Sequence, residues 1–216
     1  MLAVVDDWGA VSAELSRWTR DHDAAPWQRV AEPWPGVIGS GAAWGSGLHG
    51  DGPPAGQEGA SKREGDGRSP AGVFALGGAY GYADRAPKGT RWRYTPVDRR
   101  WVCVDDSASR AYGTIVETSA VEKDWTSSEA MARRDALYTW VVEVAHNPAH
   151  VAAGGSCIFL HVWRKADSPT VGCTAMERGK LEDVLAWLDP EAQPVFVLLP
   201  KASYAALAAP WGLPAR

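Results

Sequence analysis

"SCIFLHVW", residues 156–163, is the stretch whose reading decides the fold. It is short, apolar, rich in β-branched and aromatic side chains, and follows the glycine pair Gly154–Gly155, which together mark a buried strand. The same grammar recurs in "VIGSGAAWG" (37–45), "GVFALGG" (72–78), "RWRYTPV" (91–97), "RWVCVDD" (100–106), "YTWVVEVAHN" (138–147) and "PVFVLLP" (194–200), each bounded by Gly, Pro or Asp. Many short strands in succession, without helices alternating between them, predict a mainly β fold of antiparallel sheets packed on one another.

Helical spacing is confined to four places. Trp8, Val11, Leu15 and Trp18 fall at steps of 3, 4 and 3, which predicts a helix over 8–18 and an N-terminal helical extension over 1–30. In "TSSEAMARRDAL" (126–137) Thr126 stands three before Glu129, the spacing of a capping box. "LEDVLAWL" (181–188) aligns Leu181, Val184, Leu185 and Leu188 ahead of Pro190, and "SYAALAA" (203–209) reads as a last short helix. Residues 45–72 are rich in Gly and Pro and read as one long loop, a candidate lid. At 216 residues the chain is expected to form a single domain, 1–216.

Composition narrows the function. A hydrophobic share of 45%, a charged share of 22% and a formal net charge of −4 describe an ordinary globular chain with no general attraction to nucleic acid or anionic membranes. No run of 18 apolar residues predicts a membrane-spanning helix. The start, "MLAVVDDWGA", lacks a basic segment and does not read as a signal peptide. Twelve Trp is a high count; such rings can stack on flat or sugar-like ligands, but dispersed as they are they read first as packing residues. The three cysteines, Cys103, Cys157 and Cys173, form no CxxC pair, and no metal site or cofactor is expected.

Chemistry concentrates near Cys173. Gly172 before it permits an unusual turn, and Thr174 three before Glu177 suggests a helix starting just after the thiol, whose amides, with those of Gly172 and Cys173, could stabilise a thiolate and an oxyanion. His161 closes the strand 157–161, twelve residues earlier, and could fold back as the thiol's base. His146 and His150 in "HNPAH" have metal-ligand spacing, but Pro148 argues for a loop. Arg91 and Arg93 fall on one face of a predicted strand and could clamp a carboxylate, though a solvated face is the commoner outcome.

"GDGRSPAGVF" (65–74), "GSCIFLHVW" (155–163) and "SPTVGCTAM" (168–176) together resemble the L,D-transpeptidase (YkuD-like) catalytic domains of bacterial cell walls. The resemblance implies a mainly β, sandwich- or barrel-like fold and a cofactor-free cysteine acyltransferase. Its donor would be a peptidoglycan stem tetrapeptide that loses D-alanine, and its acceptor an amine, giving 3,3 or 1,3 cross-links. Cys173 looks like the nucleophile and His161 like its base, with the backbone carbonyl of Val162 orienting the ring and Gly172 at the oxyanion hole. Thr170, Trp163, Thr174, Arg91 and Arg93 would then contact substrate. The sequence departs from the family pattern at Val171, where a second histidine is usual, at Ala175, where a polar residue is common, and in the shorter His-to-Cys spacing. The resemblance further implies action in the periplasm or cell envelope after removal of a leader, sensitivity to carbapenems, and a Cys103–Cys157 disulfide that leaves Cys173 free. An L,D-carboxypeptidase or amidase using the same pair, and a non-catalytic wall-binding module, are the alternatives.

Overall fold

The computed structural model describes residues 1–216. Strand far outweighs helix, 31% against 9%, and eight strands close a barrel. They are β1 (Leu2–Val5), β2 (Ser12–Ser16), β3 (Trp34–Val37), β4 (Ser69–Gly81), β5 (Val141–Val144), β6 (Phe159–Val162), β7 (Thr174–Met176) and β8 (Val195–Pro200). Around the barrel they run β4-β5-β6-β7-β3-β2-β1-β8, and β8 returns to β4. The thirteen-residue β4 makes the closure: Gly72–Ala75 pair with β8, and Leu76, Ala79 and Tyr80 pair with β5 across a bulge. Closure leaves no unpaired edge among these strands. The sheet is mixed rather than antiparallel throughout, because β1–β8 and β6–β7 are parallel pairs.

Two predicted helices are strands or turns. Over 8–18 the period is two: Ser12 and Glu14 are exposed, Ala13 and Leu15 buried, and β2 is hydrogen-bonded between β1 and β3. Ladder bonds on both edges outweigh a helical spacing that only three turns of side chains supported. Trp8 instead packs on Trp44, 5.1 Å between ring centroids. Residues 1–30 therefore hold β1, β2 and a two-stranded ribbon pairing Trp18–Thr19 with Gln28–Arg29, not a helical extension. Over 126–137 the intended capping group, Thr126, gives its N–H and hydroxyl to Asp106 Oδ2 at 2.7 and 2.8 Å. Glu129–Ala130 then pair with Val102–Cys103 as a strand.

The other two helices form. Helix α1 (Arg178–Trp187) buries Leu181, Val184 and Leu185, and α2 (Lys201–Leu207) follows β8 directly. Neither is long and apolar enough to cross a membrane.

Segment 45–72 is not one free loop. Ser46–Gly47 and Gly50–Asp51 form a hairpin, and β4 begins at Ser69. Its second half is tied down: Lys62 is buried and paired to Asp66 at 2.5 Å. Glu64 accepts from Tyr112 and Ser156 hydroxyls at 2.6 Å each.

Between β4 and β5 the chain makes an excursion over 97–140. Trp101–Cys103, flanked by Ile115–Glu117 and Glu129–Ala130, forms a three-stranded sheet. Val97, Cys103, Met131 and Tyr138 of this cap pack with Val141, Phe159 and Cys173, in a cluster separate from the main core. The faces of β6 and β7 divide accordingly. Leu160, Val162 and Met176 enter the main core with α1, whereas Phe159 and Cys173 face the cap.

Candidate active site

Parallel pairing of β6 with β7 sets His161 opposite Ala175, two residues beyond Cys173. With alternating side chains, His161 and Cys173 share the cap-facing side of adjacent strands. Strands about 4.8 Å apart and a two-residue offset of about 6.6 Å place their Cα atoms roughly 8 Å apart on the diagonal, and both side chains line one cleft. The chain must travel back from the end of β6 to the start of β7, and residues 163–173 do so over this face. That return supplies Trp163, Arg164, Ser168, Pro169, Thr170 and Val171 as one wall of a cleft. The cap supplies the other wall with Glu129, Arg133, Leu137 and Tyr138, and the cleft encloses about 160 Å³.

The imidazole is held by one bond of known sense. Its Nδ1 lies 2.8 Å from the Val162 carbonyl, which can only accept, so Nδ1 carries the proton and Nε2 keeps its lone pair. Tyr138 meets the ring edge-on at 5.2 Å between centroids. Leu137, its neighbour, accepts from the Val162 N–H at 3.1 Å and fixes the cap's last turn to β6.

The thiol is nearly enclosed. Phe159 N–H donates to Cys173 Sγ at 3.3 Å, and Sγ lies 3.5 Å from the Cys157 carbonyl. Burial first, and the nearby Glu129 carboxylate second, push the thiol up to about 12. Burial brings His161 down to about 4, against a smaller upward pull from the Val162 carbonyl. Both shifts favour the neutral thiol and neutral imidazole over a thiolate–imidazolium pair.

The turn carrying Cys173 is shaped from behind. Gly172 has φ +142°, and a Cβ there would come within 3.2 Å of the Arg68 carbonyl and 3.3 Å of Ile158, so the position requires glycine. Thr170 Oγ1 donates to Cys173 O at 2.6 Å and accepts from Gly172 N–H at 3.2 Å. That N–H is thus occupied, and Gly172 does not offer the free oxyanion donor expected of it. Ser69, fully buried at the start of β4, accepts from Gly39 N–H at 2.9 Å. Its hydroxyl reaches the carbonyls of Gly172 and Cys173 at 2.7 and 3.0 Å. The "GDGRSP" segment therefore buttresses the Cys173 turn and lines no part of the cleft; it is not a lid over it.

Other expected residues divide. Trp163 and Thr170 line the cleft. Thr174 is buried on the opposite face of β7, pointing away as strand alternation demands, and no helix starts after the thiol because β7 does. Arg91 and Arg93 precede the short strand at Tyr94–Pro96 and lie outside the cleft; Arg91 pairs with Asp189 at 2.8 Å in a different cavity. Cys103 and Cys157 are bonded, although Cys157 sits in a left-handed turn (φ 54°) rather than on a strand. The bridge ties the cap to the approach of β6. His146 is spent on the backbone, accepting from Ser46 N–H at 3.2 Å and donating to Gly154 O at 2.9 Å.

The cap residues were missed by the sequence. Tyr138 donates to Glu129 at 2.6 Å and packs in the same cluster as Cys173. Arg133 bridges Glu129 at 3.5 Å and Asp135 at 3.0 Å. In the sequence Glu129 reads only as the capping-box partner of Thr126, and Arg133 only as part of the same predicted helix.

No family model, no curated protein and no solved structure matches this chain.

Proposed function

We propose that this protein is a cysteine acyltransferase acting on peptidoglycan stem peptides, an L,D-transpeptidase. The observation that carries the reading is the Cys173–His161 pair: one thiol and one imidazole on the same face of adjacent strands, with Nδ1 bonded to the Val162 carbonyl and Nε2 left as the base. The three motifs quoted above support the substrate class. The pairing does not depend on the second histidine replaced by Val171, which is 83% exposed on the lip of the cleft.

In this reading the thiol attacks the carbonyl of the third stem residue as His161 Nε2 takes the S–H proton. Phe159 N–H stabilises the sulfur while it carries charge. The imidazolium returns that proton to the departing D-alanine amine, leaving a thioester on Cys173. An acceptor amine then attacks, gives a proton to His161, and displaces the thiolate, which is reprotonated. Arg164 on the wall suits a free carboxylate of such a peptide, whereas Arg133 is matched by Glu129 and Asp135.

The test is mass spectrometry after incubating the protein and its Cys173→Ala variant with purified disaccharide-tetrapeptide. The expected result is a dimer lacking one D-alanine, absent with the variant; fragmentation assigns 3,3 or 1,3 linkage. Tripeptide alone would make it a carboxypeptidase. Unchanged substrate, with carbapenem labelling equal in both proteins, would overturn the assignment.

A further inference from the structure

A second, larger cavity of about 780 Å³ opens beside β1 and β8, with Leu2, Val195 and Val197 in its lining. In the strand order, two strands separate this site from β6–β7 in either direction, so it lies across the barrel from Cys173. Four indoles from distant segments meet there: Trp18, Trp27, Trp187 and Trp211. Two are pinned by their own N–H groups, Trp18 to Ser16 Oγ at 3.0 Å and Trp27 to the Gly212 carbonyl at 2.8 Å. The Arg20 guanidinium sits 4.5 Å over the Trp27 ring and fixes it further. Rings so held present flat apolar area with little ordering entropy left to lose.

The polar part of the lining indicates the ligand's charge. Arg20 pairs with Asp23 and Arg91 with Asp189, each at 2.8 Å. With both guanidinium groups matched by carboxylates and Asp21 adding a further carboxylate to the lining, the site offers no surplus positive charge for an anion. For an acyl chain the paired ions would be out of place. Paired carboxylates and guanidinium groups between aromatic faces suit a neutral ligand with hydroxyl edges and apolar faces, which is a pyranose. The volume lies in the range of small-ligand clefts, about 300–1,000 Å³, enough for more than one sugar ring.

We propose that this cavity is a glycan-binding groove that takes an oligosaccharide, its pyranose rings stacked on the indoles and its hydroxyls bonded to the Arg91–Asp189 and Arg20–Asp23 pairs. The groove goes beyond the acyl-transfer reading and does not require it. A sugar chain held there leaves the Cys173 cleft open on the far side of the barrel.

The test titrates the full chain with chitohexaose, followed by tryptophan fluorescence and calorimetry. Saturable binding with a Kd of about 1 mM or tighter is expected. Trp27→Ala and Arg91→Ala should each weaken it at least about tenfold, while Cys173→Ala binds as the parent does. Arg91 is exposed, so that variant keeps the test valid if Trp27→Ala lowers stability. Absence of saturable binding, unchanged affinity in both variants, or displacement of the sugar by dodecanoate would overturn the proposal. Acyl transfer measured on a sugar-free tetrapeptide reads Cys173 alone, so the two proposals fail separately.

Discussion

The resting state of Cys173 can be tested by alkylation across pH. With the thiol near 12, roughly 10⁻⁵ of it is thiolate at pH 7, against about 3% for a free cysteine of pKa 8.5, a deficit of about 3,000-fold. A more basic thiolate is intrinsically more nucleophilic, and a Brønsted slope of 0.4–0.5 over the difference returns a factor of about 40. The net expectation is alkylation about 100-fold slower than free cysteine at pH 7. Iodoacetamide labelling of Cys173, followed by intact-mass spectrometry from pH 6 to 10, should give a rate rising about tenfold per pH unit with no plateau. His161→Ala should leave that profile nearly unchanged, because the imidazole is neutral throughout the range. A plateau beginning below pH 8 and abolished in His161→Ala would show a resting thiolate–imidazolium pair and refute the argument from burial. In the proposed chemistry, deprotonation then belongs to the step in which substrate fills the cleft and His161 takes the proton during attack.

Three further outcomes follow from the geometry. Ser69→Ala strands the Gly39 N–H and the Gly172 carbonyl in a buried site and should cost about 1–3 kcal/mol of unfolding free energy, read from urea denaturation, with slower acylation of Cys173; a cost near zero would mean the turn does not depend on Ser69. The Cys103–Cys157 bridge spans 54 residues, for which chain entropy gives about 4 kcal/mol, so the double Ala variant should melt roughly 8–16 °C lower; a shift within a degree or two would show that the cap holds itself. His146 and His161, each brought by burial to about 4, bind protons in the unfolded chain before the folded one. The contribution of these two histidines is therefore full above pH 6.5 and falls as pH drops towards 4, by on the order of 3 kcal/mol per histidine. The upward shifts of half-buried Glu129 and Glu143 oppose part of this loss, and a urea midpoint equal at pH 7 and 4.5 would contradict it.

Local pattern was enough for the strand at 159–162, the buried run 195–200 and the helix 178–187, because their burial is set by their own apolar sequence and by Gly and Pro at their ends. It was enough, too, to single out Cys173 and His161. It failed at 8–18 and 126–137, where helical spacing was real but the partners were remote: β1 and β3 for the first, Trp101–Cys103 and Asp106 for the second. Arg91 and Arg93 failed for the same reason, since nothing in "RWRY" says which cavity it faces.

The sequence by itself determined a mainly β chain, the chemical identity of a thiol and an imidazole twelve residues apart, and the glycine their turn requires. Only the tertiary structure decided that β6 and β7 run parallel, which puts Cys173 and His161 on one face and sends the connecting segment over them as a cleft wall. It alone brought Tyr138, Glu129 and Arg133 to that cleft, and gathered four dispersed Trp residues into a groove across the barrel. The physical reason is that strand pairing is a long-range choice: hydrophobic period fixes which side chains share a face, but not which strand lies beside it.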